Sequence, residues 1–356
     1  MITKEPALRF WLGYAEREGA IFDTHDADTI LVVLPDTLRE AFGLPEELVV
    51  TADPEAAREE DALLLIPGHP LLDRAANRVI DEGDVGEAYL PWPQSQLPGA
   101  AVLQERAREC IPIDHGRIDA AGEPLRRYLP IVRISALVTH AVSLDRRFQE
   151  RDEVWVDGCT GLPIPAPARR LLADSCWNPE PRLPHARLSP DLDLAVAQAH
   201  ALLEARAGQR LQVLAPESDR ERQAELDRAD AYYAATLEAI DRRRASASSE
   251  RVALLDAQEQ ATLVERARRV AEIDEKFRPH YEVRPFRIHL LLAPALVVPV
   301  HIRRGSHEFP FEFTWLVASR AFLDPRCPHC KATAGLVAGR QRLGCHTCLL
   351  KNSREH

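Results

Sequence analysis

The stretches ERQAELDRADAYYAATLEAIDRRR (221–244) and ERVALLDAQEQATLVERARRVAEIDEKF (250–277) decide how this chain is organised. In the first, Leu226, Tyr233, Leu237 and Ile240 fall on one helical face. In the second, Val252, Leu255, Leu263, Ala267, Val270, Ile273 and Phe277 do the same. Between them ASASS (245–249) breaks the pattern. The spacing predicts two antiparallel helices joined by a short turn. Their apolar stripe is narrow, the width of a coiled-coil seam rather than of a core helix, so the hairpin is expected to project as an arm. The basic run DRRR (241–244) needs no ligand to explain it, because cations suit the negative end of a helix dipole.

On either side of the arm the period changes. LDLAVAQAHALLEARAG (192–208) reads as a separate amphipathic helix ended by Gly208. Before it, ECIPIDHGRID (109–119), RYLPIVRISALVTHAV (127–142) and DEVWVDGCTG (152–161) carry strand patterns. After the arm come YEVRPFRIHLLLA (281–293), ALVVPVHIRRG (295–305) and HEFPFEFTWLVAS (307–319). Each alternates in part, as on a half-exposed antiparallel sheet. The later strands are expected to pair with those at 127–157, making the hairpin an excursion from one continuous sheet. GLPIPAPARRLLADSCWNPEPRLP (161–184) is a long connection with a short helix at 166–173.

Nearer the N-terminus, Phe10, Trp11 and Tyr14 share a face of a short helix. DTILVVL (28–34) is a buried strand, PDTLREAFG (35–43) a helix capped by Asp36 and stopped by Gly43, and EELVVTAD (46–53) a second strand. A short acidic helix follows, and then a helix opened by Gly68, His69, Pro70 and Leu71 that ends near Gly83. Pro70 suits a first helical turn, and His69 is read as part of that start.

The expected fold class is therefore α+β. A small α/β domain spans 1–95, a β-rich region 96–186, the helical hairpin 187–280, and returning strands 281–325. A zinc ribbon spans 326–356. The 356 residues are 46% apolar and 28% charged, an ordinary globular composition. The longest apolar run, HLLLAPALVVPV (289–300), is too short and too polar to cross a membrane, and no secretory leader is evident. With seven Cys, an odd number, a disulfide framework is not expected. A cytoplasmic location is.

The ribbon is CPHCKATAGLVAGRQRLGCHTC (327–348). Cys327, Cys330, Cys345 and Cys348 form two C-x-x-C knuckles with the spacing of a structural four-thiolate zinc site. One zinc ion would supply folding energy that so small a segment lacks. Four thiolates close the coordination sphere, so catalysis at the metal is not expected. Gly335, Gly339 and Gly344 suit tight turns, and LVAGRQRLG (336–344) reads as a hairpin. From Arg278 onward the chain carries twelve Lys/Arg and five Asp/Glu, although the whole chain has a net charge of −10. Arg303, Arg304, Lys331, Arg340 and Arg342 are the candidates for a basic, nucleic-acid-binding face.

The order of elements resembles the region that follows the motor in bacterial Swi/Snf-type ATPases of the RapA/HepA kind. The resemblance rests on residues 10–54 running into LLLIPGHPLLDRAANRVIDEG (63–83), and on a long charged hairpin set into a β-rich region. It covers residues 1 to about 300. The motor itself is missing, since there is no G-x-x-x-x-G-K-[ST] and no acidic box after a strand. The resemblance implies an accessory subunit serving an ATPase on another chain and acting on DNA, in transcription recycling or in defence against foreign DNA. It implies no small-molecule substrate.

Other readings remain open. A stand-alone zinc-ribbon protein binding nucleic acid or RNA polymerase is one. A hydrolase or nuclease is another, with Asp114, His115 and Asp119 as its weak candidate site. No G-x-S-x-G or H-E-x-x-H occurs, no residue is assigned a catalytic role, and Cys159 is read as a small buried hydrophobe. Replacing Cys345 by Ser is expected to unfold the tail and spare the helices.

Overall fold

The computed structural model describes residues 5–24, 29–94, 96–179, 184–330 and 335–351. The chain divides into two compact units, Met1–Gly83 and Asp84–His356.

In the first unit α1 (Pro6–Arg17) precedes β1 (Ile21–Thr24), β2 (Thr29–Val33), α2 (Asp36–Phe42), β3 (Glu47–Thr51), α3 (Pro54–Glu59), β4 (Leu63–Leu64) and α4 (Pro70–Glu82). The strands form a sheet in the order β1-β2-β3-β4, antiparallel except for β3 with β4. Trp11, Tyr14 and Phe42 meet in the core, with Trp11 edge-on to Phe42 at 5.5 Å. His69 does open α4: its Nδ1 accepts from the Leu71 N–H at 3.2 Å, and Pro70 follows in the first turn. Gly43 ends α2 at φ 66°, where an L side chain would be strained. Asp36 lies inside α2 rather than capping it, and pairs with Arg39.

The second unit contains β5 (Asp84–Tyr89), α5 (Ala100–Cys110), β6 (Ile113–Asp114), β7 (Arg117–Ala120), β8 (Leu125–Ala141), β9 (Arg147–Asp157), α6 (Ala166–Ala173) and α7 (Leu192–Arg244). There follow α8 (Ser249–Lys276), β10 (His280–Arg304), β11 (His307–Leu316), β12 (Ala321–Phe322), β13 (Leu336–Ala338), β14 (Leu343–Gly344) and α9 (His346–Lys351). The expected domain limit at 95 falls instead at Gly83, because β5 joins the large sheet in parallel with β10. Helix α5 has no counterpart in the sequence reading. Its buried positions Leu103 and Ala107, with Ile111 after it, are spaced by four and were its local signal.

Strand β10 is the axis of this unit. The two runs 281–293 and 295–305 form one strand of 25 residues. It pairs antiparallel with β8 from Ala141↔His280 to Tyr128↔Pro294, and β8 pairs with β9. Strands before and after the hairpin thus share one seven-stranded sheet, as expected. Prolines are rare inside sheets because they cannot donate to a ladder. Here Pro285 falls at the register shift between Pro285 and Arg287, and Pro294 falls where one edge of β10 changes partner from β5 to β11.

The arm differs from expectation at its root. Helix α7 is one helix of 53 residues that runs through both Gly208 and Pro216. Neither residue stops it, because tertiary packing holds the first half. Ala195, Ala199, Leu203 and Ala207 form a fully buried stripe, and the first three pack against Val132, Ile134, Val154 and Val156 of the sheet. Gly208 packs beside the Tyr281 ring, where a Cβ would lie 3.7 Å away in ordinary van der Waals contact. Beyond Pro216, the Ser218 hydroxyl donates to the Val142 carbonyl at 2.6 Å. Arg146 pairs with Glu217 and Glu221 at 3.0 Å each. From there α7 and α8 run as a pair on a narrow seam of Tyr233, Ile240, Leu255 and Ile273, all buried. Ion pairs cross the seam: Arg222–Asp274 at 2.5 Å, Lys276–Glu225 at 2.7 Å, Arg266–Asp230 at 2.9 Å, and Arg244 with Asp256 and Glu259.

Candidate metal centre

Each half of the ribbon presents two sulfurs from one turn. Cys327 and Cys330 come from the bend before the hairpin β13–β14; Cys345 and Cys348 come from its end and from α9. The hairpin turn is tight: Gly339 N donates to Arg342 O at 2.9 Å, and a Cβ at Gly339 would lie 2.7 Å from that oxygen. This is the hairpin expected from the Gly spacing.

All four sulfurs lie within 4.8 Å of one another, and Cys330 Sγ is 3.6 Å from Cys345 Sγ. A tetrahedral ion with metal–sulfur bonds of about 2.3 Å needs sulfurs about 3.8 Å apart. The donors therefore fit one ion. Main-chain N–H groups already point at the sulfurs: Cys345 N donates to Cys327 Sγ at 3.2 Å and Cys348 N to Cys345 Sγ at 3.5 Å. Such bonds stabilise thiolate. Burial pushes the Cys327 thiol up, but the N–H groups of Cys330, His329 and Cys345 outweigh it and bring it down to about 6. Cys348 is pushed up to about 12, first by its hydrogen bond to the Cys330 sulfur and then by burial. Cys327 thus sheds its proton more readily than Cys348. These four cysteines can hold a metal ion. The His rings inside the knuckles are not in the cluster, and His346 turns instead to Asp114, Nε2 to Oδ2 at 3.3 Å.

The ribbon is stitched into the second unit. Strand β13 pairs in parallel with β6, Leu336↔Ile113 and Val337↔Asp114. Leu336, Ala338 and Leu343 share one apolar cluster with Leu103, Ile118, Ile302 and Trp315. Gly116 makes the approach feasible, since a Cβ there would lie 2.9 Å from that of Ala338.

The basic candidates separate into distinct roles. Arg303 is held by Asp119 at 3.3 Å and Glu308 at 3.1 Å. Arg304 donates to the Ala338 carbonyl and Arg342 to the Cys348 carbonyl, each at 2.6 Å. Arg304 and Arg342 therefore brace the ribbon, while Arg303 is tied to β7 and β11. Arg340 is exposed, and Lys331 lies outside the described residues. The weak hydrolase candidates do not converge: Asp114 faces His346, Asp119 faces Arg117 and Arg303, and His115 forms a turn at φ 61°. At Cys159 burial, and then the Asp157 charge, push the thiol up to about 12, so it stays protonated at neutral pH.

Compared with models of protein families and with individually characterised proteins, the chain matches none. Among the described residues no helix is long and apolar enough to cross a membrane.

Proposed function

We propose that the chain is a non-catalytic accessory subunit that serves a Swi/Snf-type ATPase on another chain in work on DNA, and that its metal is one structural zinc ion. The observation that carries the reading is the placement of the arm. A helical hairpin leaves and re-enters a single sheet between β9 and β10. Its root is pinned by Ser218 and Arg146, and it extends about 40 Å at 1.5 Å per residue. An arm braced this way presents long charged faces to a partner at low ordering cost. The element order of the RapA/HepA-like region supports the choice of partner. The alternative of a stand-alone ribbon protein gripping nucleic acid draws less support, because two of its five proposed cations serve the ribbon itself and a third, Arg303, is held by two carboxylates.

The test is co-purification of tagged protein from its native host, beside a variant in which residues 222–272 are replaced by a short Gly/Ser turn. A Swi/Snf-type ATPase recovered at near-equal amounts with the full chain, and lost with the shortened arm, would support the proposal. Recovery of nucleic acid or RNA polymerase without an ATPase would refute it. Zinc is tested separately by elemental analysis, with about one ion per chain expected.

A further inference from the structure

One edge of β10 changes partner abruptly. Strand β5 runs parallel to it as far as Tyr89↔Leu292, and β11 arrives antiparallel, ending at Leu316↔Ala295. Leu90 N donates to Leu292 O at 2.9 Å and Val317 N to Pro294 O at 3.1 Å. The carboxyl ends of two strands therefore meet head-on, and both chains peel away from the sheet. Diverging main chains leave a crevice, which is the physical reason ligands collect where neighbouring strands part. A cavity of about 600 Å³ opens at this point, within the usual size range for small-molecule sites.

Its lining is mixed: Leu90, Pro91, Leu97 and Pro98 supply an apolar side, Gln96 and Ser175 are polar, and the buried indole of Trp315 forms part of the floor. Two guanidinium groups, Arg106 and Arg320, border it, and none of the described lining residues is a carboxylate. Arg106 lies over the Trp315 ring, 5.2 Å from its centre. Both arginines are exposed, and among the described residues neither has an ionic partner. Arg320 is also held at φ 52°, a left-handed conformation usual for Gly or Asn and costly for a long side chain by about 1 kcal/mol. Backbone strain kept at the mouth of a pocket points toward function.

We propose that this crevice binds a small planar anion, an aromatic ring carrying a carboxylate or phosphate. The ring lies against Leu90, Leu97 and the prolines, and Arg106 and Arg320 hold the charge. The inference is independent of the accessory-subunit reading. Such a ligand would act as an effector: the one hydroxyl in the described lining, that of Ser175, is engaged with the Leu171 carbonyl at 2.7 Å.

The experiment is calorimetry on the full chain with two anions, adenosine monophosphate and indole-3-acetate, each beside its neutral counterpart, adenosine and indole. Binding by one anion, with its neutral counterpart weaker by about tenfold or more, supports the site and identifies the anionic group, a charge-assisted hydrogen bond having that effect. The variants Arg106→Gln and Arg320→Gly should each weaken that binding by about tenfold. Arg320→Gly should do so while raising the melting temperature, because glycine relieves the strained φ. Failure of both anions at about 1 mM, equal binding of the neutral rings, or unchanged binding by both variants would overturn the proposal.

Discussion

Cys345→Ser tests whether the ribbon is an appendage or part of the core. Cys345 is 3% exposed, its sulfur is 3.6 Å from that of Cys330, and its N–H donates to Cys327. Removing this ligand leaves three sulfurs and releases an ion that, in small zinc modules, contributes on the order of 10 kcal/mol to folding. The hairpin β13–β14 then loses its clip, and the side chains of Leu336 and Leu343 leave the cluster they share with Ile302 and Trp315. Each buried leucine contributes about 2 to 3 kcal/mol, so the second unit loses on the order of 5 kcal/mol. For a unit of this size that lowers the melting temperature by roughly 10–20 °C. Elemental analysis should show loss of metal, and calorimetry the lowered main transition. Far-ultraviolet circular dichroism at room temperature should change little, because α7 and α8 hold most of the helix. Metal loss with an unmoved main transition would refute the reasoning and restore an independent tail. Full metal retention would remove Cys345 from the ligand set.

Glu153 accepts hydrogen bonds from Arg133, Ser135 and Trp155. Burial pushes its carboxyl up, but the Trp155 and Arg133 hydrogen bonds outweigh it and hold it below the ordinary carboxylate range. Glu153→Gln should therefore cost about 2 kcal/mol at neutral pH. Because the folded pKa is depressed, the stabilisation is present above the ordinary value of 4.5 and lost as pH falls below it. The deficit of the variant should shrink in acid denaturation series, and a constant deficit would refute the assignment. Gly158→Ala places a Cβ 2.8 Å from the Pro130 carbonyl oxygen, a main-chain atom that cannot rotate away. It should lower stability by about 2 kcal/mol in urea titration, and a neutral result would show that β8 gives way there. Arg342→Ala should release metal more readily to a chelator, since its guanidinium caps Cys348, while Arg340→Ala should not. Equal release from both variants would refute the bracing role.

Local physics was legible in the sequence. The Cys spacing, the glycine turn at 339, the His69-Pro70 helix start and the strand alternation each depend on a few neighbouring residues. The long hairpin was legible for the same reason, as a repeated apolar spacing. What failed was non-local. Gly208 and Pro216 are stop signals by propensity, but α7 passes through them because its alanine stripe and Ser218 are fixed by distant strands. The basic residues near the ribbon looked free in the sequence because their acceptors, Ala338 O, Cys348 O, Asp119 and Glu308, are set by pairings between remote segments. The parallel seam between β6 and β13 left one faint trace, a glycine at 116 where any side chain would collide.

The insertion of the arm between paired strands has a kinetic consequence. Closing β8 against β10 as a bare coil would confine a very long loop before any contact repaid it, and such topologies fold slowly. The arm shortens the search. Helices nucleate and zip from neighbouring residues within microseconds, and the Arg244 contacts to Asp256 and Glu259 lie beside the turn where zipping begins. Once closed, the hairpin carries Lys276 back beside Glu225 and sets His280 next to the strand it must join. The excursion that lengthens the chain between the two halves of the sheet is also what reunites them.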